Sequence, residues 1–157
     1  MAARMDLILW RHAEAFDLTE GGDDLDRALT PKGERQAARM ADWLNRHLTA
    51  GTRILASPAR RAQQTVQALD RRVRTVPALA PTGTVDGLLA AARWPEARDA
   101  VLVVGHQPTL GMTAGYLLTG QPQPWAVRKG ALIWLRARER EGELQVVLHA
   151  ALSPDLL

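Results

Sequence analysis

Two rhythms alternate along the chain. Short unbroken apolar runs are separated by longer stretches in which apolar residues return every three or four positions. Residues 6–10 (DLILW) and 100–104 (AVLVV) are runs of strand length, and the second, rich in valine, has the composition of a strand buried on both faces. Residues 53–56 (RILA) predict a third strand and residues 73–76 a weaker one. Between them, Thr30 suits an N-cap and Pro31 the first helical position. Ala37, Met40, Ala41, Leu44 and Leu48 then form one buried stripe, with Gly51 as the predicted stop. Ser57-Pro58 predicts a helix running to about residue 70, with Ala62, Val66 and Leu69 inward. Thr84 caps another through Leu88, Leu89 and Ala92 to Trp94, and residues 109–118 predict a fourth. Residues 16–27, 77–83 and 120–124 read as loops. Residues 131–135 and 144–149 predict an antiparallel pair joined by a charged turn over residues 138–143. Strands alternating with helices predict an α/β, three-layer sandwich with a mainly parallel central sheet and an antiparallel edge. No internal repeat or composition break divides it, so residues 1–157 read as a single domain.

Composition narrows the chemistry. The 157 residues include no cysteine, which excludes a disulfide framework, a cysteine nucleophile and thiolate metal clusters. No apolar run approaches the ~20 residues that span a bilayer, and residues 7–10 are too short for a signal-peptide core. The expectation is a soluble, cytoplasmic, monomeric protein with no membrane partner. Twenty basic residues, all but Lys32 and Lys129 arginine, face seventeen acids. Six of those acids (Glu14, Asp17, Glu20, Asp23, Asp24, Asp26) lie within residues 13–26, so the rest of the chain is strongly basic. The arginines are scattered and carry no aromatic-interleaved stretch, which argues against nucleic acid. They suit phosphate, which arginine grips bidentately.

Two features share one form. The run 7–10 ends in Arg11-His12, and the run 101–104 ends in Gly105-His106. In open α/β sheets ligands bind outside the carboxyl ends of strands, so two histidines just past such ends face one crevice if the strands are neighbours. Residues 53–56 end in Ser57-Pro58, ahead of a helix carrying Arg60-Arg61. A helix N-terminus beside a strand end is a ready anion site. Histidines, arginines and a helix end are donors or cations, which suits a phosphoryl group, and histidine can be a covalent nucleophile. His47, near a helix end, is expected to serve the helix dipole or to be solvated, and His149, within the last strand, to be packed or hydrogen-bonded. No spacing of His, Asp or Glu specifies a metal, and no cofactor is expected.

Arg11-His12-Ala13, Leu29-Thr30-Pro31-Lys32-Gly33, Ser57-Pro58 with Arg61-Ala62 and Gln64-Thr65, and Gly105-His106-Gln107-Pro108 stand in an order that resembles the histidine phosphatase, or phosphoglycerate mutase-like, superfamily. The short length and the closing Leu152-Ser153-Pro154 resemble its SixA-type phosphohistidine phosphatases. The resemblance runs from about Leu7 to Pro154. It implies His12 as the phosphorylated nucleophile, Arg11 and Arg61 as clamps on the phosphoryl oxygens, and His106 completing the pocket without a metal. It also implies Arg27 at the mouth, Ser57 beside the anion, and a backbone donor near Gln107. Ala13 departs from the glycine that many members carry. Residues 77–85 contain no carboxylate where ester-cleaving members often place their acid. A missing acid favours a phosphoramidate, whose imidazole leaves more readily than an alkoxide. Glu14, Asp17 or Asp86 would undo that argument by folding over the site. The implied partner is a phosphohistidine-bearing signalling or carrier protein. The alternatives are a phosphatase for small phosphate esters and a non-catalytic phosphoprotein-binding module.

Overall fold

The structure is a computed structural model describing residues 4–157. Strands β1 (Arg4–Arg11), β2 (Arg53–Ala56), β3 (Arg74–Thr75), β4 (Val101–Gly105), β5 (Leu132–Arg140) and β6 (Glu143–Leu152) form one sheet in the order β3-β2-β4-β1-β5-β6. The pairs β3-β2, β2-β4 and β4-β1 are parallel, whereas β1-β5 and β5-β6 are antiparallel, which makes the expected edge.

Alternation along β1 sorts its side chains. Leu7 and Leu9 join Val101, Val103 and Leu55 on one face. There they pack with Leu88 and Ala92 of α3 (Val85–Ala92) and Leu110 and Ala114 of α4 (Thr109–Thr119). Ile8 and Trp10 join Ile54, Leu102 and Val104 on the other face. Those meet Met40 and Leu44 of α1 (Pro31–His47) and Ala62 and Val66 of α2 (Arg60–Gln67). Both faces are covered, which is why these strands carry unbroken apolar runs. Among the described residues, no helix is long and apolar enough to cross a membrane.

Several boundaries differ from the sequence expectation. α1 ends at His47, short of Gly51, because Leu48 adopts an extended backbone and buries its side chain against the same core. α2 begins three residues after Ser57, whose hydroxyl accepts from the Ala59 N–H and holds the chain out of helical geometry. It ends at Gln67, and the turn through Asp70 (φ 53°) still brings Leu69 into the core. The charged residues 138–140 are not a turn: they extend β5, and the hairpin closes at Glu141-Gly142, both with positive φ. Exposed hairpin strands tolerate charge, so polarity alone misplaced that turn.

The segment after β1 is fixed to α1. Thr30 caps the helix by accepting from Gly33 N–H at 3.0 Å, and Thr30 N–H donates to the Glu14 carbonyl at 3.0 Å. A Cβ on Gly33 would lie 2.0 Å from the Glu14 carbonyl oxygen, so only glycine permits this approach. Gly33→Ala is expected to lower stability by about 2–3 kcal/mol, the cost of forced overpacking. Gly51→Ala, whose Cβ meets nothing closer than Asp99 at 3.6 Å, is the control. Urea titration of the two variants checks the difference.

Candidate active site

Strand β4 and the turn before β5 pin His12 from both sides. Its N–H donates to Gly105 O at 3.1 Å, and its carbonyl accepts from Gly130 N–H at 2.9 Å. Because β1 pairs in parallel with β4, Arg11 opposite Gly105, the loops after the two strands leave side by side. The His12 and His106 rings are consequently 5.2 Å apart, centroid to centroid, and both are buried. The two strand ends thus bring both histidines to one place, as the sequence pattern required of neighbouring strands.

Each ring has a defined partner. His12 Nδ1 lies 2.8 Å from the Ala13 carbonyl, and a carbonyl only accepts, so Nδ1 carries the proton. Nε2 therefore presents its lone pair, which accepts from Arg61 Nε at 3.3 Å. Burial pushes the His12 pKa down to about 4, and the charges of Arg61 and Arg11 add to it, outweighing the bond to Ala13. His106 Nε2 meets Ser57 Oγ at 2.7 Å. Burial first, then His12 and Arg61, push its pKa down to about 3. Both imidazoles are neutral at physiological pH.

The arginines complete the cradle. Arg11 donates from Nη1 to Val127 O at 2.8 Å. Its buried Nε and His106 Nδ1 have no hydrogen-bond partner among the described residues. Such donors and acceptors are costly unless a ligand meets them. Arg61, buried on the first turn of α2, reaches His12 through Nε and turns its far end to Asp24. Arg60 pairs instead with Asp26, away from His12. Arg27 donates to Asp24 Oδ1 at 2.9 Å and to Phe16 O at 2.9 Å, which places it at the mouth. The Gln107 side chain is occupied by Gly111 N–H and Trp125 O, leaving only its backbone for the crevice.

Two residues were not foreseen in these roles. Thr65 Oγ1 accepts from Ala13 N–H at 2.9 Å and donates to Arg61 O at 2.7 Å, tying the His12 loop to the helix that carries Arg61. Asp24 is the acid that folds over the site. Glu14 instead accepts from the Thr30 hydroxyl at 2.7 Å, Asp17 is exposed, and Asp86 lies on the first turn of α3. Partial burial pushes the Asp24 carboxyl up, but Arg61 and Arg27 outweigh it and hold it below the usual carboxylate range. Nothing in the spacing of six loop acids singles this one out. Among the described residues, no group of three or more His, Asp or Glu is placed to hold a metal ion. His47 bonds the Trp43 carbonyl and stacks on its ring, and His149 meets the edge of Trp134, both apart from the crevice. A basic cleft of about 560 Å³ adjoins the site through Arg11 and is lined by Lys32, Arg35, Arg39, Arg128 and Lys129 against Glu14 and Asp155.

The ¹⁵N shifts of the His12 imidazole are expected to show the neutral Nδ1–H form from pH 8 down to about pH 5. An imidazolium appearing with a midpoint near 6.5 would contradict the geometry. The folded pKa values of His12 and His106 both lie below the unfolded value near 6.5, so their contribution to stability is complete above pH 6.5 and declines as pH falls toward 4 and 3.

An anion cradle of two arginines and two neutral histidines, one with its Nε2 lone pair turned to Arg61, suits a tetrahedral phosphoryl group. Residues 7–88 match the family model of the histidine phosphatase superfamily (branch 1). The chain is 32% identical to the phosphohistidine phosphatase SixA of Escherichia coli over 76% of this chain and 78% of that one. It is 37% identical to an uncharacterized protein of Picosynechococcus over 85% and 86% of the two chains. A solved structure of the protein histidine phosphatase SixA complexed with tungstate superposes with a TM-score of 0.80 at 27% identity, covering 97% of this chain and 99% of that one.

Proposed function

The chain belongs to the histidine phosphatase superfamily and is a phosphatase, and from that premise we propose that its substrate is phosphohistidine carried by a protein. The observation that carries this reading is the state of the two acid–base groups at the crevice: His12 is neutral with its Nε2 lone pair presented, and Asp24 is ionised. A nucleophile is ready, while no protonated carboxyl stands by for an alkoxide. A phosphohistidine ring that already carries a proton on its other nitrogen leaves as neutral imidazole and needs no such donor.

In this mechanism His12 Nε2 attacks phosphorus in line. The P–N bond to the substrate ring breaks, and its electron pair returns to the ring nitrogen. Arg11, Arg61 and His106 bind the three equatorial oxygens where charge concentrates. Ser57, already on His106 Nε2, fixes the second ring. Water then attacks the phosphohistidine on His12, inorganic phosphate departs, and Nε2 recovers its lone pair. Residues 1–157 act as one domain. The basic cleft beside Arg11 suits an acidic surface around the phosphorylated histidine of the partner.

The test is phosphate release from a phosphohistidine-bearing protein, an aryl phosphate and an alkyl phosphate, with a chelator present. Preferred turnover of the phosphohistidine protein is expected. Turnover of alkyl phosphate with none of phosphohistidine would replace this reading with a small-ester phosphatase that uses Asp24 as its acid.

A further inference from the structure

Asp24 is an anomaly in an anion site. Its Oδ2 lies 3.1 Å from Arg61 Nη2, its carbonyl accepts from Arg61 Nη1 at 2.8 Å, and its Oδ1 accepts from Arg27 Nε. A fixed negative charge on a phosphate-clamping arginine opposes binding of a phosphoryl dianion. The acidic loop is nevertheless built to hold it there. Asp23 caps the short 3-10 helix Asp24–Asp26 by accepting from Leu25 N–H, and Asp26 faces Arg60, so Asp24 alone turns inward.

The arrangement of Arg61 shows why both can be present. The guanidinium offers Nε to His12 and its far end to Asp24, leaving one N–H each on Nη1 and Nη2. Phosphoryl group and Asp24 can thus share one arginine without exchange. Each carboxylate oxygen keeps an open lone pair, and the Asp24 side chain is 43% exposed, so a substrate group can reach it.

We propose that Asp24 is a specificity-determining residue that accepts a hydrogen bond from the N–H of the leaving imidazole, on the ring nitrogen that does not carry phosphorus. Phosphohistidine has that second nitrogen; serine, threonine, tyrosine and sugar esters have no N–H beside their bridging oxygen. With this nitrogen protonated the ring is cationic before cleavage. When the P–N bond breaks, its electron pair stays on the formerly phosphorylated nitrogen, and the ring departs neutral with its N–H still on Asp24. An ionised carboxylate fits this role better than that of a proton donor. The inference rests on the phosphohistidine reading above.

The test is kcat/KM of wild type, Asp24→Asn and Asp24→Glu on N-phosphoimidazole and on p-nitrophenyl phosphate, whose phenolate leaves unprotonated. The expected result is a fall of about 10- to 100-fold in the phosphoimidazole-to-aryl-phosphate ratio for Asp24→Asn, the worth of a charge-assisted hydrogen bond. Asp24→Glu is expected to restore part of that ratio. An unchanged ratio, whether both rates fall together or neither does, overturns the proposal and leaves Asp24 as a support for Arg61, with the phosphohistidine reading intact. Absence of phosphoimidazole turnover by the wild type overturns the proposal, and the phosphohistidine-protein assay above decides the reading on which it rests.

Discussion

Replacing His12 with alanine is expected to lower kcat by at least ~10⁴-fold, the scale on which removing a covalent nucleophile acts. The reason is local. Nε2 is the lone pair facing Arg61, and no other nucleophilic side chain shares its position: His106 has its Nε2 on Ser57. Phosphate binding is expected to survive, because Arg11, Arg61 and His106 remain, so the variant should still bind tungstate or phosphate while turning nothing over. The fold should also survive. The backbone at position 12 is held by Gly105 and Gly130, and these bonds do not involve the ring. Steady-state turnover, anion titration and thermal unfolding of the same preparation separate the three statements. Turnover within tenfold of wild type would remove His12 from the mechanism.

Arg61→Lys is the second large effect, expected at about 10²–10³-fold in kcat/KM, comparable to losing one donor aimed at transition-state charge. Charge is kept in this variant, and geometry is lost. Arg61 reaches His12 with Nε and Asp24 with both Nη atoms, a fork that a single ammonium cannot reproduce. Arg61 is also nearly fully buried, so a lysine there is expected to carry a stability loss, read by urea titration alongside the kinetics. Arg60→Lys is the matched control, since Arg60 pairs with Asp26 on the exposed side of the loop. A variant at position 61 as active as the control would mean that charge alone, without the fork, serves the phosphoryl group.

Much of this site was legible in the sequence because its strands are buried on both faces. An unbroken apolar run followed at once by histidine marks a strand end, and two such ends gave His12 and His106. Their adjacency was not legible: it depends on β4 lying between β1 and β2, which local pattern does not encode. Arg61 was distinguishable from Arg60 only by resemblance. The structure gives the physical reason, since position 61 faces the buried side of α2 and position 60 the exposed side. Asp24 was hidden by its neighbours. Six acids in one loop look alike until the 3-10 turn aims one of them. Likewise, charge at residues 138–140 resembled a turn, although the exposed end of a hairpin carries charge without breaking.

The most direct test of the account is to trap the covalent intermediate. Wild-type protein would be mixed with N-phosphoimidazole, quenched in alkali within one turnover and digested, and the phosphorylated peptide sequenced by mass spectrometry. One phosphoryl group, acid-labile and alkali-stable, is expected on His12. That label should form at least as fast as steady-state turnover and be absent from His12→Ala. Full turnover with no label on His12, or with the label on His106, would contradict it.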